Sequence, residues 1–565
     1  MIVTARTRPE ALREKASRVF QDGRRAIFWR GHLYLPGLGA GLESVTEFAR
    51  RLDSRPLAEL AAELRGVFGL LLWDEETRCW HAFVDGAGQY KLYYAEGALA
   101  TGFLELLGHL GAGAADLERE HLASFLLHGD VLFGATFVRG VRKLGGGEIA
   151  TLPPEGALAL QPKHFAFPSR PWEEILDCYF AHLARSFAGL QVSLDLTGGL
   201  DSRLLLAVLH HLGAEFELAV SGAGETADVR IARRIARMVG LPLHHAGHDL
   251  ERLEEEIPAV FLDGDAQIDL RRFHRDRQNA RARLARGIQL IIHGGGGGLF
   301  RDFPYIQDFP FYGSRRLRIE RFYELRMIPV AFPAAALTDE GQALMARSRA
   351  HTLEALLAMR AANNAETYRR IAYFVRYPGF YGAMLSAYIN AGLDVVTPYL
   401  EREMVEIALT LPPWKGFFHR WHREVTTRYA PELAALPSTE GYTASSRWLH
   451  LVGDLAAFTR NTAQRAANKL AQRHLGRTPF ILGGGLMADA PDFIPRLRRS
   501  SWFPYALARL GEIGLLRRDC DPAAIPDVFA GRLLTLGLFL GWLAGDARIR
   551  QAAAARPPQS AVPLP

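Results

Sequence analysis

The sequence predicts an α+β domain followed by an α/β domain built on a parallel sheet, with a helical extension behind it. Three observations predict this. Between residues 26 and 160 the chain is a series of short apolar runs separated by turns, from about residue 191 strand and helix patterns alternate, and from about 340 long helical patterns dominate. With 565 residues the chain also exceeds what one hydrophobic core sustains, so at least two domains are expected.

In the first region, Ala26 to Trp29, Gly66 to Asp74 and Trp80 to Val84 are rich in aromatic and branched residues and read as strands. Helical patterns around 44–65 and 117–128 interrupt them. The texture changes at Pro168-Ser169-Arg170-Pro171, and apolar spacing of helical period follows from Trp172 to Phe187. A boundary there gives domains 1–167 and 168–550. The second region reads as strand 191–196, helix 202–212, strand 216–220, helix 227–239 and strand 289–292, the last ending in a glycine run. Alternation of this kind makes a parallel sheet covered by helices. The uncharged run from Leu533 to Gly545 is too short for a bilayer, which needs about 20 residues, and is expected as a buried helix. Residues 551–565, rich in Ala and Pro, are expected to be disordered.

Apolar residues make up 49% and charged residues 23%, the balance of a folded globular chain. A formal charge of +6 over this length is too dilute for a nucleic-acid footprint, so no nucleic-acid or membrane partner is expected. Cys79, Cys178 and Cys520 lie far apart, without disulfide or zinc spacing, and the N-terminus lacks a signal pattern. A cytoplasmic location is the expectation.

The chemistry-bearing motif is Thr197-Gly198-Gly199-Leu200-Asp201-Ser202, between the strand ending near Leu196 and a helix beginning with Arg203-Leu204-Leu205. A strand turning through two glycines into a helix brings backbone N–H groups and the positive helix end to one spot, which favours an anion. The hydroxyls of Thr197 and Ser202 add donors, and Asp201 is placed to hold Mg2+ against the phosphates of ATP. The spacing is neither that of a Walker loop nor that of a dinucleotide fingerprint. It resembles the Ser-Gly-Gly-x-Asp-Ser loop of ATP pyrophosphatases, with Thr197 at the first serine.

Further segments are similar to those of the asparagine synthetase family, in the family's order. They are Leu64 to Asp74, Asp85-Gly86-Ala87-Gly88 with Leu92-Tyr93-Tyr94, Ser221-Gly222 with Asp228-Val229, and Thr397-Pro398-Tyr399-Leu400-Glu401 with Leu411-Pro412. The resemblance spans residues 26 to 545. It implies an N-terminal glutaminase-like (Ntn-type) sandwich and a C-terminal ATP-pyrophosphatase-type sheet that adenylates a carboxylate and joins it to an amine. It also implies nucleotide contacts from Thr197, Gly198, Gly199, Asp201, Ser202, Ser221, Gly294, Gly295 and Gly296.

The departures are as informative. Glutamine-hydrolysing members use a cysteine at the mature N-terminus; here Ile2 follows Met1, and the glutamine-holding segment appears as Arg30-Gly31-His32-Leu33-Tyr34-Leu35. In this the chain is similar to the nucleophile-free β-lactam synthetases and lasso-peptide cyclases. The family's second acidic loop appears as His293-Gly294-Gly295-Gly296-Gly297-Gly298-Leu299-Phe300, with Gly297 at the metal-binding aspartate and Arg301-Asp302 beyond. Asp302 is a candidate to swing into the metal site, and Arg301 a candidate to offset phosphate charge. The family's lysine is missing from Thr439-Glu440-Gly441-Tyr442; Lys415, His419 and His422 are the candidates to replace it. Asp201 and Arg301 are thus the expected catalytic residues.

Arg271 to Arg286 place many basic groups on one helix, either a stripe for an acidic peptide or glycan substrate or a solvated face. His244-His245 lacks the partners of a metal site. Together these residues predict an ATP-dependent, amide-forming ligase that does not generate its own ammonia, acting on a small-molecule, peptide or acidic glycan substrate. A non-catalytic nucleotide-binding or scaffold relative and a glutamine-dependent asparagine synthetase are the two alternatives.

Overall fold

The computed structural model describes residues 1–565 apart from 15, 156, 167–169, 223, 309–310, 476–491 and 555–565. Its first part is built on two antiparallel sheets. Strands β1 (Ile2–Thr4), β6 (Tyr93–Ala95), β7 (Ala98–Ala100) and β8 (Arg142–Lys143) form one, in the order β1-β7-β6-β8. Strands β2 (Val19–Gln21), β3 (Arg25–Tyr34), β4 (Arg65–Asp74), β5 (Cys79–Val84), β9 (Glu148–Leu152) and β10 (Ala159–Pro162) form the other, in the order β10-β9-β5-β4-β3-β2.

The apolar run in β4 shows how sequence becomes layer. Val67, Leu71 and Trp73 join Val3, Tyr93 and Leu99 in the core between the sheets. Phe68, Leu70 and Leu72 point the other way, onto Val45, Phe48 and Leu60 of the helices Leu42–Arg51 and Leu57–Glu63. Alternate residues of a strand face opposite sides, so a strand buried on both faces reads as continuous apolar sequence. The single helix expected over 44–65 is two helices, because Pro56 removes a backbone donor and stands at the N-cap of the second.

The second part carries a five-stranded parallel sheet of β11 (Val192–Asp195), β12 (Glu217–Ser221), β13 (Leu243–Ala246), β14 (Leu290–Ile292) and β15 (Asp394–Val396), in the order β13-β12-β11-β14-β15. The expected fold class, α/β plus α+β, is the one observed. The chain runs outward from β11 to β13, then returns to lay β14 against the other side of β11. A reversal of this kind opens a crevice beyond the C-terminal strand ends, where ligands bind in open α/β sheets. The turns after β11 and β14, which carry the two glycine segments, meet there.

Polar contacts join the two parts. Asp394 of β15 receives the Arg18 guanidinium at 2.8 Å, the Thr397 hydroxyl donates to Gln89 Oε1 at 2.5 Å, and Arg65 pairs with Glu403 at 2.7 Å. The family-like Asp85 segment is a structural turn: the Asp85 carboxylate accepts backbone N–H groups from Ala87, Gln89 and Tyr90 at 3.1, 3.0 and 2.8 Å.

Two expectations about the second part change. The basic segment forms a helix, Leu270–Leu284, that turns much of its charge inward rather than presenting a stripe. Arg277 binds Asp263 at 2.5 Å, Arg283 pairs with Asp195, His274 lies 3.0 Å from Glu256, and Arg272 packs 3.4 Å over the Phe380 ring. The charges there neutralise acids within the fold. The tail expected to be disordered from 551 begins inside a helix, Ala547–Ala554, because its alanines have high helix propensity; the rest of that expectation, 555–565, lies outside the described residues. The helix Ala530–Leu543 is buried along most of its length, as its apolar run predicts, and among the described residues no helix is long and apolar enough to cross a membrane.

Candidate functional site

The turn after β11 is held by its own side chains. The Thr197 N–H donates to Ser202 Oγ at 3.0 Å, the two hydroxyl oxygens lie 3.1 Å apart, and the Gly199 N–H donates to Thr197 Oγ1 at 3.2 Å. The Gly198 N–H donates to Asp228 Oδ1 at 2.8 Å, from the first turn of the helix Ala227–Val239. Burial raises the Asp228 carboxyl against that N–H. Glycine is required at 198, since a Cβ there would lie 2.3 Å from Thr439 Cγ2. Thr439, in the stretch that the resemblance aligns with a lysine, reaches the loop with a methyl group rather than a charge.

Asp201 opens the helix Asp201–His211, and a guanidinium and an imidazole face its carboxylate. Arg301, from the turn after β14, hydrogen-bonds Oδ2, while His422 Nε2, from the helix Arg420–Tyr429, lies 3.0 Å from Oδ1. The Tyr399 hydroxyl donates to the Asp201 carbonyl oxygen at 2.8 Å. Burial pushes the Asp201 carboxyl up, but Arg301 and His422 outweigh it and hold it below its ordinary value. Burial likewise pulls the His422 imidazole down, with Asp201 opposing. Arg301 is raised, the Asp201 carboxylate overcoming desolvation.

The glycine run fits against this cluster. A Cβ on Gly297, the position of the family's metal-binding aspartate, would lie 2.4 Å from Asp201 Cγ, and one on Gly296, with φ of +93°, would lie 2.6 Å from Leu400 Cδ2. Gly294 lies nearer the first loop, its Cβ position 3.5 Å from the Ser202 nitrogen, and the Gly295 N–H donates to His293 Nδ1 at 3.1 Å. Asp201 is expected to hold Mg2+, yet the guanidinium takes one of its oxygens, the imidazole stands 3.0 Å from the other, and no acid faces it from Gly297. Among the described residues no group of three or more His, Cys, Asp or Glu is arranged to hold a metal ion. These residues do not fit a divalent cation, which requires several oxygen ligands.

The other expected participants divide. Of the three lysine replacements only His422 reaches Asp201; Lys415 pairs with Glu424, and His419 lies 2.8 Å from the Tyr442 hydroxyl. Arg301, expected to offset phosphate charge, is bonded to Asp201. Ser221 ends β12, beside the first loop, and is exposed. His244 lies 3.0 Å from Glu217 and His245 3.0 Å from the Gly222 carbonyl oxygen, which accounts for that pair. Sequence reasoning missed Tyr399, whose only signal was its place in the Thr397–Glu401 segment.

Asp302 does not swing toward Asp201. It is buried among aromatic residues, accepts the Tyr312 hydroxyl at 2.8 Å, and burial pushes it up to about 6. A raised folded value means that the wild-type fold loses stability as pH climbs from the ordinary 3.8 to about 6. Asp302→Asn, which keeps an oxygen for Tyr312, is therefore expected to stabilise the protein at pH 8 by roughly 1–3 kcal/mol and to change little near pH 3.5. Urea unfolding at the two pH values checks it; equal effects at both would refute it.

In the first part, Ile2 pairs with Ala100 within its sheet, and the segment from Arg30 to Leu35 makes contacts to the second part. Arg30 donates to Asn390 Oδ1 at 3.1 Å, and the His32 ring lies 2.8 Å from Ser186 Oγ, its value lowered to about 4 by burial.

No protein-family model matches the chain, and no curated protein does. Among solved structures the chain is similar to glutamine-dependent NAD+ synthetase from Acinetobacter baumannii in complex with adenosine diphosphate. The match has 15% sequence identity and a TM-score of 0.18, and it covers 46% of this chain and 61% of that chain, less than two thirds of its length.

Proposed function

We propose that this chain is an ATP-using, amide-forming ligase resembling the asparagine synthetase family in its second part and lacking a working glutaminase in its first. The observation that carries the proposal is the meeting, at the reversal point of the parallel sheet, of the Thr197–Ser202 turn with Arg301 and His422. In the reaction class proposed, a carboxylate oxygen attacks the α-phosphorus of ATP and the bond to pyrophosphate breaks. An amine nitrogen then attacks the acyl carbon, loses a proton and releases AMP. Negative charge develops on the departing pyrophosphate, and fixed donors facing such charge are worth on the order of 10²–10³ in rate where one has been removed. Thr197, Ser202, Arg301 and His422 are the groups placed to face it. In this reading the amine comes from outside, since Arg30 and His32, in the segment that the resemblance aligns with glutamine binding, serve docking.

A second reading, a non-catalytic nucleotide-binding protein, is favoured by one observation: the acid expected opposite Asp201 is a glycine, and Asp201 itself is neutralised. Release of pyrophosphate from ATP, assayed against panels of carboxylates and amines, separates the two. Turnover with any pair supports the ligase. Nucleotide binding with no turnover across a broad panel supports the second reading, and release of glutamate from glutamine would overturn the account of the first part.

A further inference from the structure

We infer that the cradle between β11 and β14 takes a phosphoanion without a divalent cation, Arg301 supplying the positive charge that a metal would otherwise bring and His422 a polar ring beside it. The inference rests on the proposed reading of this cradle as the phosphate site. Asp201 Oδ2 is held by the Arg301 guanidinium and Oδ1 faces the His422 ring, so a metal ion would have to displace the guanidinium and then sit beside it as a like charge. It would also find no acid on the opposite loop, where a Cβ at 297 already meets the Asp201 carboxylate.

Two further features point to an anionic ligand. His422 Nδ1 has no hydrogen-bond partner, its Nε2 being the atom turned to Asp201 at 3.0 Å, and Arg301 Nε is likewise without an acceptor. The His422 side chain is 0% exposed, so unpartnered polar atoms stand buried beside a phosphate-type loop, and such an atom is costly unless a ligand or water completes it. The imidazole is also held in place by aromatic neighbours, with Phe300 and Trp421 edge-on at 6.2 and 5.3 Å and the Tyr399 ring at 6.0 Å. Asp201 thus acts as an internal counter-ion that a phosphate oxygen replaces, rather than as a metal ligand.

This assignment reverses the sign of one substitution. Asp201→Asn keeps the side-chain volume but removes the counter-ion, freeing Arg301 and His422; in a metal site the same change removes a ligand. The test is calorimetric titration of ATP and of inorganic pyrophosphate into the full chain, in EDTA and in excess Mg2+. Wild-type protein is expected to bind each anion in EDTA within about threefold of its affinity in Mg2+. Asp201→Asn is expected to tighten pyrophosphate binding in EDTA about tenfold, and His422→Gln to weaken it by a similar factor, the scale of one charge-assisted hydrogen bond. Thermal melting of each variant verifies that it is folded. Binding that falls more than tenfold in EDTA, or weaker binding by Asp201→Asn, would overturn the inference while leaving the phosphate site standing. No binding of either anion in either condition would overturn both together.

Discussion

Replacing Arg65 with methionine is expected to destabilise the fold by about 3–5 kcal/mol, because it strips the cation from a buried acidic pair. The Arg65 side chain is 8% exposed, pairs with Glu403 at 2.7 Å and donates to the carbonyls of Ala62, Glu63 and Leu64 at 3.0, 2.7 and 3.2 Å. Glu401, which accepts the Gly66 N–H at 3.1 Å, lies in the same field. Burial pushes Glu401 well above its ordinary value; at Glu403 burial acts the same way, but Arg65 wins and holds that carboxyl below 4.5. A depressed folded value gives stability that is present above pH 4.5 and is lost as pH falls through it. The penalty of Arg65→Met should therefore be largest at neutral pH and shrink toward pH 4, where the orphaned carboxyls take up protons. Urea unfolding across that range measures it, and a loss under about 1 kcal/mol at pH 7 would show that the contact does not bind the two parts together.

Placing an acid opposite Asp201 by Gly297→Asp is expected to cost at least about 3 kcal/mol and to create no magnesium site. The new Cβ would start 2.4 Å from Asp201 Cγ, and the new charge would face a carboxylate whose cations come from elsewhere. Gly297→Ala separates the steric share, expected at about 1–3 kcal/mol, from the electrostatic remainder. Thermal melting with and without Mg2+ reads both. An aspartate variant that melts with the wild type and is stabilised by Mg2+ would mean that the loop moves freely away from Asp201, against the close approach seen here.

Much of the fold was legible because it is local. The continuous apolar run of β4, the helix over 227–239 and the buried helix at 530–543 follow from patterns that neighbouring residues carry. Boundaries failed where one residue overrode its neighbours, as Pro56 did, and function was misplaced where local charge hid its destination. Arg272, Arg277 and Arg283 look like a basic stripe until Phe380, Asp263 and Asp195 are packed against them.

The same division runs through the site. By itself the sequence determined the Thr197–Ser202 turn, since a strand, two glycines and a helix start lie within a few residues and local hydrogen bonds complete the shape. It also determined that the opposite loop carries no acid. Only the tertiary structure decided what faces Asp201. Arg301, His422 and Tyr399 come from three separate segments that the parallel sheet and its helices bring to one spot, and a charge pair depends on distance in space, which spacing along the chain does not record.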